Sequence, residues 1–180
     1  FFVVLAIQFL STLADNAFLI VAIARVLELA EADWRIPLLK IGFTLFYVVL
    51  APLVGPVSDA FRKGRVMLTA NGFKVVAMGL LLVGLDPLLA IVVAGLGSAV
   101  YAPAKYGLMT ELLPAQDLVR GNGFFEGATV SAVILGTALG GLLISPVMPR
   151  LDWPVIPGMA APAPTALVAG MLTLLTLNGL

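Results

Sequence analysis

Residues 1–29 read FFVVLAIQFLSTLADNAFLIVAIARVLEL, an apolar run interrupted near its middle by Asp15 and Asn16. A helix needs about 20 residues to cross a bilayer, so this run is long enough to do so. A carboxylate near the middle of a span costs at least ~2.5–3.5 kcal/mol to insert, so it belongs against a bundle interior or a wet cavity. Gln8, Ser11, Thr12 and Asp15 recur at i, i+3, i+4 and i+7, with Asn16 beside them. That spacing gathers the polar groups onto one stripe of a lipid-soluble helix. A helix with one wet stripe lines something; the alternative is that Asp15 only bonds a neighbouring helix as packing glue.

Composition extends this reading to the whole chain, which is 61% hydrophobic and 11% charged with a mean hydropathy of +1.12. A soluble domain carries about 25% charged residues, so an integral all-α membrane protein is expected. Net charge is zero, and nothing points to nucleic acid. The chain has no cysteine and no histidine. That excludes disulfides, a thiolate nucleophile and Cys-based metal sites, and it removes the commonest general base. No cofactor and no metal are expected, nor an enzyme within these residues. Phe1 is not a start methionine and Leu180 closes an apolar run, so both ends read as cut from a longer protein.

Interruptions divide the chain into six spans. The first runs from Phe1 to about Leu27, with Glu28, Glu31, Asp33 and Arg35 at its exit. The second runs from Pro37 to about Val57 and ends in Gly55-Pro56-Val57-Ser58-Asp59 and the basic turn Arg62-Lys63-Gly64-Arg65. The third covers Val66 to Leu85, and Asp86-Pro87 makes a tight turn. The fourth runs from Leu88 to about Tyr101, where Pro103 is expected to break it. A polar connection then carries Lys105, Glu111, Pro114, Asp117 and Arg120. The fifth covers Asn122 to Ile144, a proline-rich connection follows, and a sixth span starts near Thr165. The Arg62-Lys63-Gly64-Arg65 turn places the second connection in the cytoplasm, and Trp34 and Trp153 then fall at the outer interface.

Gly55-x-x-x-Asp59 followed by Arg62-Lys63-Gly64-Arg65 resembles the cytoplasmic loop signature of the major facilitator superfamily, although Asp59 and Gly64 stand five apart where that pattern sets three. Its logic is a glycine for close helix approach and a carboxylate whose pairing with nearby cations locks one conformation. The alternative is a plain positive-inside turn. A closer resemblance spans most of the chain. Phe9-Leu10-Ser11-x-x-x-Asp15-Asn16, Ala70-Asn71-Gly72-Phe73-Lys74, Tyr101-Ala102-Pro103-Ala104-Lys105-Tyr106-Gly107, Asn122-Gly123-x-x-Glu126 and Gly136-Thr137-Ala138-Leu139-Gly140-Gly141 together resemble the bacterial lysophospholipid transporter family. The resemblance implies the amino-terminal six-helix half of a twelve-span facilitator of the inner membrane, built of two three-helix repeats, with a carboxy-terminal half as its companion. It further implies movement of lyso-phosphatidylethanolamine-type lipids from the outer to the inner leaflet, for reacylation by an acyltransferase that is separate or fused.

The individual residues point the same way. Lys105 follows Pro103, and broken helices near a cavity commonly bind head groups, which makes it the first candidate for a phosphate; the alternative is a snorkelling lysine. Lys74 lies ~14 Å along its helix from Arg65, deep for snorkelling, and shares a face with Asn71. Asn122, Glu126 and Thr129 make a second stripe at i, i+4 and i+7. Glu126 is expected to pair with Lys105 or Lys74, to accept a coupling proton or sodium ion, or to form a fixed interhelical ion pair. Gly123-x-x-x-Gly127, Gly127-x-x-x-Ser131 and Gly136-x-x-x-Gly140 are expected to let another helix approach closely. The substrate-binding or coupling candidates are therefore Gln8, Thr12, Asp15, Asn16, Lys74, Lys105, Asn122 and Glu126. The rival functions are export of another amphiphile or drug, a membrane module of acyl transfer such as a transporter–acyltransferase fusion, and a passive anchor, against which the buried acids Asp15 and Glu126 argue. Acyltransferases of that type use a His-Asp pair, which this chain lacks.

Overall fold

The structure is a computed structural model that describes residues 1–29 and 34–145, with only the backbone described for Val57, Asp59 and Leu82. The proline-rich connection, the sixth span, Arg150 and Trp153 lie outside the described residues, as do the side chain of Asp59 and the acids Glu31 and Asp33. Every regular element described is helical: α1 (Phe2–Glu28), α2 (Arg35–Val49), α3 (Ala51–Ala60), α4 (Lys63–Leu82), α5 (Pro87–Leu112), a 3₁₀ turn (Ala115–Asp117) and α6 (Leu118–Leu143). Helices satisfy their own backbone groups, which lipid demands. Among the described residues, three stretches are long and apolar enough to span a bilayer individually: Phe2–Glu28, Pro87–Leu112 and Ala115–Leu143.

Two expectations about proline are corrected. The second span is two helices, broken at Leu50, because Pro52 lacks the N–H that would reach back one turn to Val48. Pro103, by contrast, does not break the fourth span: α5 runs through it to Leu112. One amide donor is lost there, but α5 is packed by α4, α2, α1 and α3, and neighbours of that kind hold a proline-bearing membrane helix together. Lys105 and Glu111 consequently belong to α5, and the polar connection shrinks to Leu113, Pro114 and the 3₁₀ turn. The basic turn is likewise partly helical, since α4 begins at Lys63.

Small residues set which helices meet. A Cβ on Gly95 would fall 2.4 Å from the Phe43 carbonyl oxygen of α2, and one on Gly97 would fall 2.5 Å from the Ala70 oxygen of α4. Two residues apart on α5, they point to different neighbours, so this helix sits in the middle of the bundle. On α6, a Cβ on Gly136 would lie 2.4 Å from the Leu13 oxygen of α1, which makes α1 and α6 close partners. Span one thus pairs with span five and span four with span two, the exchange that a two-fold relation between three-helix repeats requires. Gly55, Gly123 and Gly127 have no atom within 4 Å of such a Cβ, so the expectation that they seat a close helix is corrected among the described residues.

Connections at the two ends are short and capped. Gly84, at φ 79°, ends α4 in the left-handed region, and Leu85 N–H donates back to the Leu80 oxygen. Asp86 then caps α5, accepting from Leu88 N–H at 2.8 Å, while its other oxygen accepts from Arg35 at 2.7 Å. At the opposite end Lys63 pairs with Glu111. Outward faces keep large apolar side chains exposed, among them Ile41, Val48, Leu53, Val76, Ile134 and Leu142, as lipid contact demands.

Candidate functional site

Two apolar clusters divide the bundle along its length. One holds Val4, Ile7, Val66, Met67, Ala70, Ala104, Met109 and Phe125. The other holds Ala17, Phe18, Val21, Leu39, Ala77, Met78, Ile91 and Ala94. Between them, on each long helix, lie polar side chains: Gln8, Ser11, Thr12 and Asp15 on α1, Asn71 and Lys74 on α4, Ser98 on α5 and Thr129 on α6. Asp15 is the central residue of the 27 in α1. A polar layer at mid-depth is where membrane transporters place substrate and coupling ions.

Lys74 is the hub. Its ammonium donates to Asp15 Oδ2 at 2.6 Å and to Ser11 Oγ at 2.8 Å, and Ser98 Oγ donates to the same Asp15 oxygen at 3.1 Å. Only 2% of Lys74 is exposed. Its Nζ lies 5.0 Å over the Tyr101 ring. Ser11 also donates to Asn71 Oδ1 at 3.4 Å. Gln8 Nε2 donates to Thr12 at 3.0 Å and to Thr129 at 3.2 Å, tying α1 to α6. Asn16 instead donates to the Thr12 carbonyl of its own helix at 2.8 Å. The structure therefore makes Asp15 both a packing partner and a lining residue, so the two sequence readings merge.

Lys105 differs. It is 6% exposed, its Nζ lies 4.3 Å over the Tyr106 ring and 5.7 Å from the Phe125 ring, and it has no ion pair or hydrogen bond among the described residues. Aromatic faces stabilise an ammonium by roughly 0.5–2 kcal/mol without consuming its donors. The expected pairing of Glu126 with Lys105 or Lys74 is not formed. Glu126 is exposed and accepts from the Tyr106 hydroxyl at 2.9 Å, while Lys74 takes Asp15. Asn122 is exposed and remote from the polar layer, whereas Thr129 of the same stripe reaches it.

Both lysines open on space. A void of about 60 Å³ is lined by Ser11, Asp15, Lys74, Ser98, Tyr101 and Lys105 among others. It adjoins a cavity of about 460 Å³ that shares Gln8, Thr12, Asp15 and Lys105 with it, and that adds Asn16, Leu19, Phe43, Tyr106 and Thr129. The lining of the larger cavity mixes these polar groups with the apolar surface of Leu19, Phe43, Tyr47 and Ala102. Ser98, Tyr47 and the rings under Lys105 were not reached by periodicity. Ser98 sits in an apolar helix as a single small residue, and its one sequence signal is the adjoining Gly95 and Gly97. Among the loop candidates, Lys63 lies across Gly107 and pairs with Glu111, while Arg62 and Arg65 are exposed. No group of three or more acidic side chains able to hold a metal ion occurs among the described residues.

The profile of the Major Facilitator Superfamily matches residues 1–179. The lysophospholipid transporter of Serratia proteamaculans is 38% identical over 157 residues, covering 87% of this chain and 38% of that protein. The lysophospholipid transporters of Yersinia pestis and Yersinia pseudotuberculosis are each 42% identical over 140 residues, 78% of this chain and 34% of theirs. The chain thus spans little more than a third of the length of these curated relatives. No solved structure matches it.

Proposed function

The chain belongs to the Major Facilitator Superfamily, and from that membership we propose that it forms part of a secondary transporter for lysophospholipids. The observation that carries this reading is Lys105: a buried ammonium, unpaired among the described residues, facing a cavity lined by both polar and apolar side chains. A phosphodiester carries one negative charge, and an ammonium meets it as a point charge. Leu19, Phe43 and Tyr47 offer the apolar surface that an acyl chain requires. The relatives, named as lysophospholipid transporters, agree with this amphiphile.

In this reading the membrane is the bacterial inner membrane and the Lys63–Glu111 end of the bundle faces the cytoplasm, following the basic residues there. Transport runs from the outer to the inner leaflet, where an acyltransferase, separate or fused, reacylates the product. A carboxy-terminal half completes the pathway opposite the cavity. Asp59, Arg62, Lys63 and Arg65 act on the balance between inward- and outward-open states, and Asp15, within its ion pair, is the candidate for coupling.

A leaflet-resolved assay of the full-length protein in proteoliposomes tests the reading, using lysophosphatidylethanolamine labelled on its acyl chain. Protein-dependent movement of the label between leaflets is expected, and it should fall on Lys105→Ala. Export of a cationic drug with no movement of lysolipid would replace this reading with that of an amphiphile exporter.

A further inference from the structure

Two buried lysines line the same void as one carboxylate, yet only Lys74 is paired with it. Lys74 is also the one that cannot move toward a ligand. Its stem lies against α5, where a Cβ on Gly97 would come within 3.2 Å of Lys74 Cγ. Its ammonium is held by Asp15 and Ser11 in front and faces the Tyr101 ring. Asp15 is pinned in turn, since Lys74 and Ser98 both donate to its Oδ2. Asp15 and Lys105 face the same larger cavity, so a carboxylate freed from Lys74 has one other buried ammonium within its surroundings. An ammonium already paired with a carboxylate is a poor anion receptor, because the anion must displace a like charge.

From this geometry we infer that Lys74 is a positioning residue: by holding Asp15 on α4's side of the void, it keeps Lys105 unpaired and available to an anion. The inference rests on the proposal that Lys105 receives the anionic phosphate of a head group, and it adds the reason that Lys105 is free to do so. It also explains why the layer contains two lysines. One neutralises the resident acid, and the second supplies the single excess positive charge among the groups lining the smaller void.

The test uses the full-length transporter in lipid–detergent micelles with two readouts. One is the Kd for lysophosphatidylethanolamine bearing a fluorescent acyl chain. The other is the rate at which a small amine-reactive reagent labels Lys105, followed by mass spectrometry, which needs no ligand. Lys74→Met should weaken binding about tenfold and slow labelling of Lys105 as Asp15 turns to it. Adding Asp15→Asn to that variant should bring both readouts back to within about threefold of wild type, the coupling expected of residues in contact. Lys74→Arg, which keeps the charge, should bind as wild type does.

A Lys74→Met protein that labels Lys105 as fast as wild type overturns the inference. So does a double variant that binds as weakly as Lys74→Met, because Lys74 would then act on the ligand directly. If Lys74→Met alone does not fold, the double variant decides against wild type: binding and Lys105 labelling within about threefold of wild type are expected, and binding weakened about tenfold or more overturns the inference. If the wild type binds no lysolipid, the proposed substrate fails, and the labelling comparison still decides the role of Lys74.

Discussion

The two sides of α5 treat the same residue type in opposite ways. Toward α1 and α4, Lys74 is 2% exposed and finds an acid and a hydroxyl. Toward the larger cavity, Lys105 is 6% exposed and finds two aromatic faces but no hydrogen bond or ion pair among the described residues. Burial is nearly equal, so burial does not separate structure from function here. What separates them is whether the charge is already answered. An answered charge joins helices, and an unanswered one beside a cavity is held ready for something that arrives.

The contrast breaks most visibly if stability and binding are measured separately. Lys74→Ala strands Asp15, and loss of one partner of a buried pair costs about 3–5 kcal/mol, so a clear fall in the melting temperature of the detergent-solubilised full-length protein is expected. Lys105→Ala strands no acid and should leave that temperature near wild type; equal falls would erase the distinction. Next in size is affinity. Lys105→Ala should raise the Kd for lysolipid about tenfold to a hundredfold, and Lys105→Arg should recover part of it, because charge is kept while size and donor geometry change.

Finer still are the rings. Phe125→Leu removes one face near Lys105 and should weaken binding about threefold, in keeping with a buried but long cation–π contact of 5.7 Å. The Lys63–Glu111 pair marks the lower limit. Its side chains are 17% and 56% exposed, so Glu111→Gln should shift stability by less than about 1 kcal/mol. Accessibility labelling of cysteines introduced at the two ends of the cavity would show whether that variant alters the inward–outward balance instead.

Much of this was legible in the chain. Hydropathy located α1, α4, α5 and α6 to within a few residues at most boundaries, and the i, i+3, i+4, i+7 spacing put Gln8, Ser11, Thr12 and Asp15 on one face, where the structure has them. The prolines were less legible. Pro52 breaks its helix at the lightly packed edge of the bundle, while Pro103 is absorbed in a helix packed on several sides. Nothing local to either proline distinguishes the two. Glycines were equally ambiguous: Gly136 and Gly140 meet α1, but Gly123 and Gly127, in the same motif one or more turns earlier, meet nothing described.

What the sequence determined by itself is the class of molecule and the depth of its polar layer. Both follow from properties of one helix at a time: its length, its apolarity and the angle between successive side chains. Tertiary structure alone decided which cation answers Asp15. The partner lies 59 residues along the chain, and Glu126 was as plausible a claimant for Lys74 or Lys105 until the helices were placed. Charge interactions depend on distance in space and not on spacing in sequence. That is why the free lysine beside the cavity was visible as a residue, but not as a vacancy for an anion, until α1, α4, α5 and α6 were packed together.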